Sequence, residues 1–360
     1  LTLGGGPFGS SATVDTGTGA GSLKLGGNVT FSSVNDPNTA TLAGTLNLNG
    51  ATRTFTVNNS CAPGAAVDLN ISATIVGAAG NGITKAGAGV LRLSSSNSFD
   101  GVVSMPNDTG TIIAGNPWAL GNPSVGRTFS VLNNDSLVFD GSKGNITMPA
   151  LYTNLFLYGA GDYQIGPIRG TLVNWSGTNT VASPQVTLNS STYIASLAGK
   201  LTLAGNISGT QDLSIYGNGD MELAGGILTG ARALNKNGTG TLTLSGTGTN
   251  TFTGTTTVNA GTLMLAKASG TVGVNAIANG AVNVNNGGVL RYAASSTNPD
   301  MVGTGTITMN GNGQLDFNGA SDSLGSVVIS APGAIVDTTN IVNTAGGGNL
   351  TVTALTLTPA

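Results

Sequence analysis

Residues 234–246 read LNKNGTGTLTLSG, and residues 83–94 read ITKAGAGVLRLS. Both carry a lysine, then Gly-x-Gly, then an alternating apolar run: Lys85, Gly87, Gly89, Leu91, Leu93 in one, and Lys236, Gly238, Gly240, Leu242, Leu244 in the other. A catalytic motif is needed once. A pattern written twice is a building unit. Within the unit the apolar period is two: Leu242 and Leu244 alternate with Thr241 and Thr243. A strand sends alternate side chains to opposite faces, so the leucines are predicted to face a core and the threonines water.

Working outward, short Leu-x-Leu strands bracketed by Gly, Asn or Thr begin at 1, 23 and 46, then at 91, then at 201, 242 and 263, with a last one at 355, a Met-x-Leu form at 221 and close relatives at 137, 290 and 315. Runs such as Asn285-Asn286-Gly287-Gly288 between strands supply turn chemistry. A period of twenty-odd residues is the signature of a solenoid, whose single coils bury too little to fold alone and are stable only when stacked. The expectation is an all-β, parallel β-solenoid over 1–360 as one continuous body, with about 16 rungs of roughly 20–27 residues. The clearest copies span 83–141 and 234–292. The stretch 145–195, rich in aromatics, departs from the pattern and predicts irregular rungs or a broader loop.

Composition agrees. Gly makes up 58 of 360 residues, while charged residues are 8% and hydrophobic ones 39%. Collagen is excluded because Gly has no period of three, and disorder because the chain is apolar and nearly uncharged. The net charge of −3 comes from scattered single charges. Nucleic acid needs clustered cations, so it is excluded as a partner. No apolar run is long enough to span a membrane as a helix. A single cysteine, Cys61 beside a turn, is read as a small packed residue without an internal disulfide partner.

There is no histidine, which removes Ser-His-Asp and Cys-His nucleophiles and His-ligated zinc. Polysaccharide hydrolysis would need two carboxylates about 5–10 Å apart. The candidates are Asp220 with Glu222, which share a strand face, and Asp135 with Asp140 and Asp316 with Asp322 at strand ends. If Met221 and Leu223 point inward, Asp220 and Glu222 point to solvent, so a solvated outer wall outweighs a site. No catalytic residue, cofactor or metal ligand is assigned, and the chain is read as not an enzyme. Trp118 and Tyr163 are kept as possible glycan contacts.

The Lys-x-Gly-x-Gly-x-Leu-x-Leu run continues as Asn97-Ser98-Phe99-Asp100-Gly101 and Asn250-Thr251-Phe252-Thr253-Gly254. Each is followed by Gly-Thr-apolar, Gly110-Thr111-Ile112 and Gly261-Thr262-Leu263. This resembles the autotransporter-associated β-strand repeat, also called the passenger-associated transport repeat. Residues 20–93 are also similar to long surface proteins of planctomycete and verrucomicrobial type. The resemblance implies a right-handed coil on a secreted or cell-surface protein. It implies no shared catalytic residues.

The chain opens on Leu1-Thr2-Leu3 and closes on Leu355-Thr356-Leu357, both strand-like and without a polar cap. Solenoid ends present unpaired edges. The expectation is therefore a structural extracellular subunit that stacks end to end through Leu1, Leu3, Leu355 and Leu357. Its partners would be further copies of itself or a longer array. The alternatives are an adhesin or carbohydrate-binding passenger that contacts glycans or a cell surface and, below it, a polysaccharide-active enzyme.

Overall fold

The structure is a computed structural model. It describes residues 1–4, 11–32, 38–60, 67–162, 169–225, 230–268, 273–294, 296, 298, 300–330, 341–343 and 350–358, the last two segments as backbone. Cys61 and Tyr163 lie outside the described residues. The contacts group the chain into two compact units, 1–184 and 185–360.

In the first unit the principal column of strands runs Thr13–Asp15, Ala40–Ala43, Leu69–Ile71, Val90–Leu93, Thr111–Ala114, Ser136–Asp140 and Leu172–Ser176, each hydrogen-bonded to the next. A second column runs Thr2–Leu3, Val29–Phe31, Arg53–Val57, Ile83–Ala86 and Val103–Ser104. In the second unit the principal column runs from Thr192–Ser196 through Leu213–Tyr216, Leu234–Lys236, Thr256–Val258, Val282–Val284, Thr306–Asn310 and Asp322–Ser330 to Leu350–Thr358. Beside it stand Lys200–Leu203, Asp220–Leu223, Thr241–Leu244, Gly261–Leu265, Gly288–Tyr292, Gln314–Asp316 and Ile341–Asn343. The pairing is parallel throughout these columns, as stacked coils require.

The alternation expected of the strands is present. Thr241–Leu244 and Asp220–Leu223 bury Leu242, Leu244, Met221 and Leu223 and leave the residues between them outward. Identical register stacks like on like: Met221 on Leu242, Leu242 on Leu263, Leu263 on Leu290, Leu290 on Leu315. Such apolar columns are the core.

The fold is thus an all-β parallel solenoid, whose principal columns hold, among the described residues, seven strands in the first unit and eight in the second. Several passes carry strand on few sides. After Val90–Leu93 the chain runs through 94–102 without a strand, and after Thr111–Ala114 through 115–126. The second of these is GNPWALGNPSVG, whose glycines and prolines withhold ladder geometry.

Two pairings that reach into 145–195 shift register. The pairing of Arg127–Val131 with Tyr152–Leu157 shifts register between Arg127 and Thr128, and that of Ser136–Asp140 with Leu172–Ser176 shifts between Phe139 and Asp140. Here the outward residues are covered as well. Ile113, Val138 and Val173 are buried, and Asp162 sits over this wall, accepting from the Thr111 hydroxyl while its N–H donates to the Ser136 Oγ.

Candidate functional site

The two motif copies build the same corner. In the first, Lys85 is buried and its Nζ donates to the carbonyls of Ala86, Gly87 and, one coil on, Thr109. In the second, Lys236 is buried and donates to Gly238 and, one coil on, Ala260. Each lysine therefore ties its own turn to the next coil by satisfying carbonyls that a sharp corner leaves without ladder partners. Burial pushes both ammonium groups down to about 8. Asp135, Asp162 and Asp68 oppose the shift at Lys85, and Asp220 opposes it at Lys236.

The Asn-x-Phe-x-Gly segment builds the next corner. Asn97 donates from Nδ2 to Ala119 and accepts at Oδ1 from the Ile75 N–H, joining three coils. Asn250 donates to Ala276 in the same way. Phe99 and Phe252 are fully buried plugs. A Cβ on Gly101 would lie 2.1 Å from the Asn81 carbonyl carbon, and one on Gly254 1.9 Å from the Arg232 carbonyl oxygen. Gly110 and Gly261 have φ of +79° and +65°, and a Cβ on either would lie 2.5 Å from a carbonyl oxygen of the preceding coil. Glycine at these positions is dictated by backbone approach.

Each of the carboxylate candidates is engaged by a neighbouring side chain or backbone N–H. Glu222 is ion-paired with Lys200 and accepts from the Ser245 hydroxyl, while Asp220 caps the Thr241 N–H. Asp140 binds Arg92 and the Ser176 hydroxyl. Burial works upward on it, yet these bonds hold its carboxyl at about 2. Asp135 is buried instead. Its Oδ1 accepts from the Thr109 N–H and hydroxyl, its Oδ2 has no partner, and burial pushes its carboxyl up to about 7. Asp316 pairs with Arg291 and caps Asn318. Asp322 is buried, accepting from the Tyr292 hydroxyl and from the N–H groups of Met301 and Val302. Burial raises its carboxyl above the usual range.

Trp118 is half-buried on a turn, with its N–H on Asn116 Oδ1 and its carbonyl accepting from the N–H groups of Asn97 and Gly121. Thr2–Leu3 pairs on one side, Leu3 against Phe31, with Leu3 buried and Leu1 exposed. On the last strand, Leu355 and Leu357 stand in register with Val327 and Ile329. Among the described residues, no cluster of His, Cys, Asp and Glu is arranged to hold a metal ion, and no helix is long and apolar enough to cross a membrane.

Sequence reasoning missed the buried lysines. Their signal lies in the sequence: a cation repeated at a fixed offset from Gly-x-Gly in a chain with 12 cations in all. It also missed a row of amides and a tyrosine pair on the outer wall of the second unit, since a surface asparagine looks like any turn residue in such a composition.

The passenger-associated-transport-repeat family matches residues 83–115 and 234–265, the two corners described above. No curated protein and no solved structure matches the chain. These matches carry the repeat and do not support a planctomycete or verrucomicrobial type.

Proposed function

We propose that the chain is a structural solenoid of a secreted or surface-exposed passenger protein, and that copies of it stack end to end into a fibre. The observation that carries this reading is where the motif puts its chemistry. The repeated lysine, asparagine and glycines are all spent on joining one coil to the next. A repeat spent on joining coils serves length and rigidity. A solenoid presents unpaired strand edges wherever its stack stops, and a further parallel strand extends such an edge. A head-to-tail contact of this kind does not close, so it propagates. The partner is then another copy. Glycans or a cell surface are further partners along the walls, and catalysis is not assigned. The scattered acids support this, each being engaged with a cation, a hydroxyl or a backbone N–H.

The test is electron microscopy of the purified 360-residue protein over a concentration series. Uniform filaments that disappear on replacing Leu3 and Leu355 by aspartate support stacking. Isolated particles at every concentration overturn the fibre and leave a passenger stem.

A further inference from the structure

The outer wall of the second unit carries an uncharged grid. Parallel register aligns Tyr193, Ser214, Asn235, Thr257, Asn283 and Thr308 in one outward column. Two residues along each strand, a second outward column carries Tyr216 and then, where the same register continues past the strand ends, Asn237, Asn259, Asn285 and Asn310. The columns are roughly 7 Å apart and the rungs about 4.8 Å. Neither column contains a Lys, Arg, Asp or Glu. Asp212, at the margin, is turned onto the Ala233 N–H. The neighbouring wall, by contrast, carries the Lys200–Glu222 and Arg291–Asp316 ion pairs.

The second column is a hydrogen-bonded amide ladder. Asn259 donates to Asn237 (2.7 Å), Asn285 to Asn259 (2.7 Å) and Asn310 to Asn285 (2.9 Å). A primary amide has two N–H donors and two lone pairs. Within the ladder Asn259 and Asn285 each spend one of each, so each presents one donor and one acceptor in a fixed direction. That pair matches a vicinal diol, whose hydroxyls both donate and accept. At one end of the grid Tyr193 and Tyr216, both half-exposed, stand with ring centroids 5.0 Å apart at 47°. The core does not require these rings, since each strand buries its alternate residues, Ile194 and Ile215. Aromatic faces beside directed amides suit a ligand with an apolar face and a polar rim.

We infer that the amide ladder and the Tyr193–Tyr216 pair form a binding strip for a neutral polysaccharide, with a sugar ring on the tyrosines and its neighbours along the asparagines. The lack of charge argues for a neutral occupant. A polyanion, nucleic acid included, would find no cation on the strip. This strip is distinct from Trp118, and its occupancy does not depend on stacking into a fibre.

The test is affinity electrophoresis of the full chain through gels containing a mixed-linkage β-glucan, a galactomannan or a dextran, with alginate as the anionic control. Retardation by at least one neutral polymer, little changed by added salt, is expected. Tyr193→Ala combined with Tyr216→Ala should weaken it about tenfold with an unchanged circular dichroism spectrum. Tyr216→Phe, which keeps the ring, should retain most of it, and Asn259→Asp with Asn285→Asp should weaken it. The inference is overturned if none of the three neutral polymers retards the protein, if alginate alone does, or if the tyrosine variants bind as the parent does. It is overturned too if the strip variants change only the sedimentation of the protein by itself, which would make the strip a contact between copies.

Discussion

The two motif copies use the same residues at the same offsets on differently ranked faces. In the first unit Lys85 lies on the five-strand column and Leu91 and Leu93 on the seven-strand one. In the second, Lys236 lies on the principal column and Leu242 and Leu244 on its neighbour. What stays constant is the corner: a buried ammonium on the carbonyl two residues ahead and on another one coil further. The motif therefore specifies a corner and leaves the ranking of faces to the rest of the chain. The surroundings differ as well. Lys85 is faced by three aspartates, two of them, Asp68 and Asp135, fully buried, and Lys236 by the exposed Asp220.

The sharpest way to break this equivalence is at the backbone. Gly101→Ala and Gly254→Ala each drive a Cβ into main chain of the preceding coil, at 2.1 and 1.9 Å. Main chain held by a ladder cannot swing aside as a side chain would. Each substitution should cost about 3 kcal/mol or more, read by denaturant unfolding with hydrogen exchange to localise the damage. Equal and large costs would show that the two corners are one device. A benign Gly254→Ala would show that the second corner is loose.

The next largest effect should come from the lysines. Lys85→Met strands three carbonyls and leaves Asp135, Asp162 and Asp68 without their nearby cation, whereas Lys236→Met strands two carbonyls. Losing a buried partner in this way is expected to cost about 3 kcal/mol at Lys85 and about 2 at Lys236. Identical costs would mean that the aspartates contribute nothing and that carbonyl satisfaction is the whole role of the lysine.

Asp135 has no counterpart beside Lys236, and its titration sharpens the contrast. Its folded carboxyl, near 7, lies above its ordinary value of 3.8 because burial disfavours the charged form. A group raised in this way contributes stability below its unfolded value and loses it as pH rises through the folded one. Asp135→Asn, uncharged at every pH, should therefore gain on the parent protein between about pH 4 and 7. Urea unfolding of both proteins across that range checks the sign, and a parallel pair of curves would rule out a buried, proton-binding Asp135.

How much of this was legible in advance follows from which interactions are local. Strand, core face and turn came from residues two to four apart, so the inward leucines of 242–244 and 221–223 were readable. The solenoid itself came from the period. The buried lysines, the Asp135 carboxylate and the amide ladder depend on residues 22 to 26 positions away, on the neighbouring coil. A Leu-x-Leu spacing does not reveal which passes, such as 115–126, carry too much Gly and Pro to form strand on their other sides.

The smallest effect is expected at Glu222, and it bears on catalysis. Its strand is the outward wall that alternation predicts, and its carboxylate lies between Lys200 and the Ser245 hydroxyl. Burial, the largest single influence, works upward, but the Lys200 and Ser245 bonds together hold the group below its usual value. A lowered carboxyl contributes stability above its unfolded value and loses it as pH falls through the folded one, so the cost of Glu222→Gln should fade in acid. At neutral pH that cost should stay under about 1 kcal/mol, because a half-exposed ion pair is well solvated in either state. A larger loss would make this outer pair part of the frame, on a par with the corners. If Glu222→Gln instead left stability untouched and abolished cleavage of a neutral polysaccharide, the reading of these acids as wall residues would fall, and the strip beside them would be a substrate track.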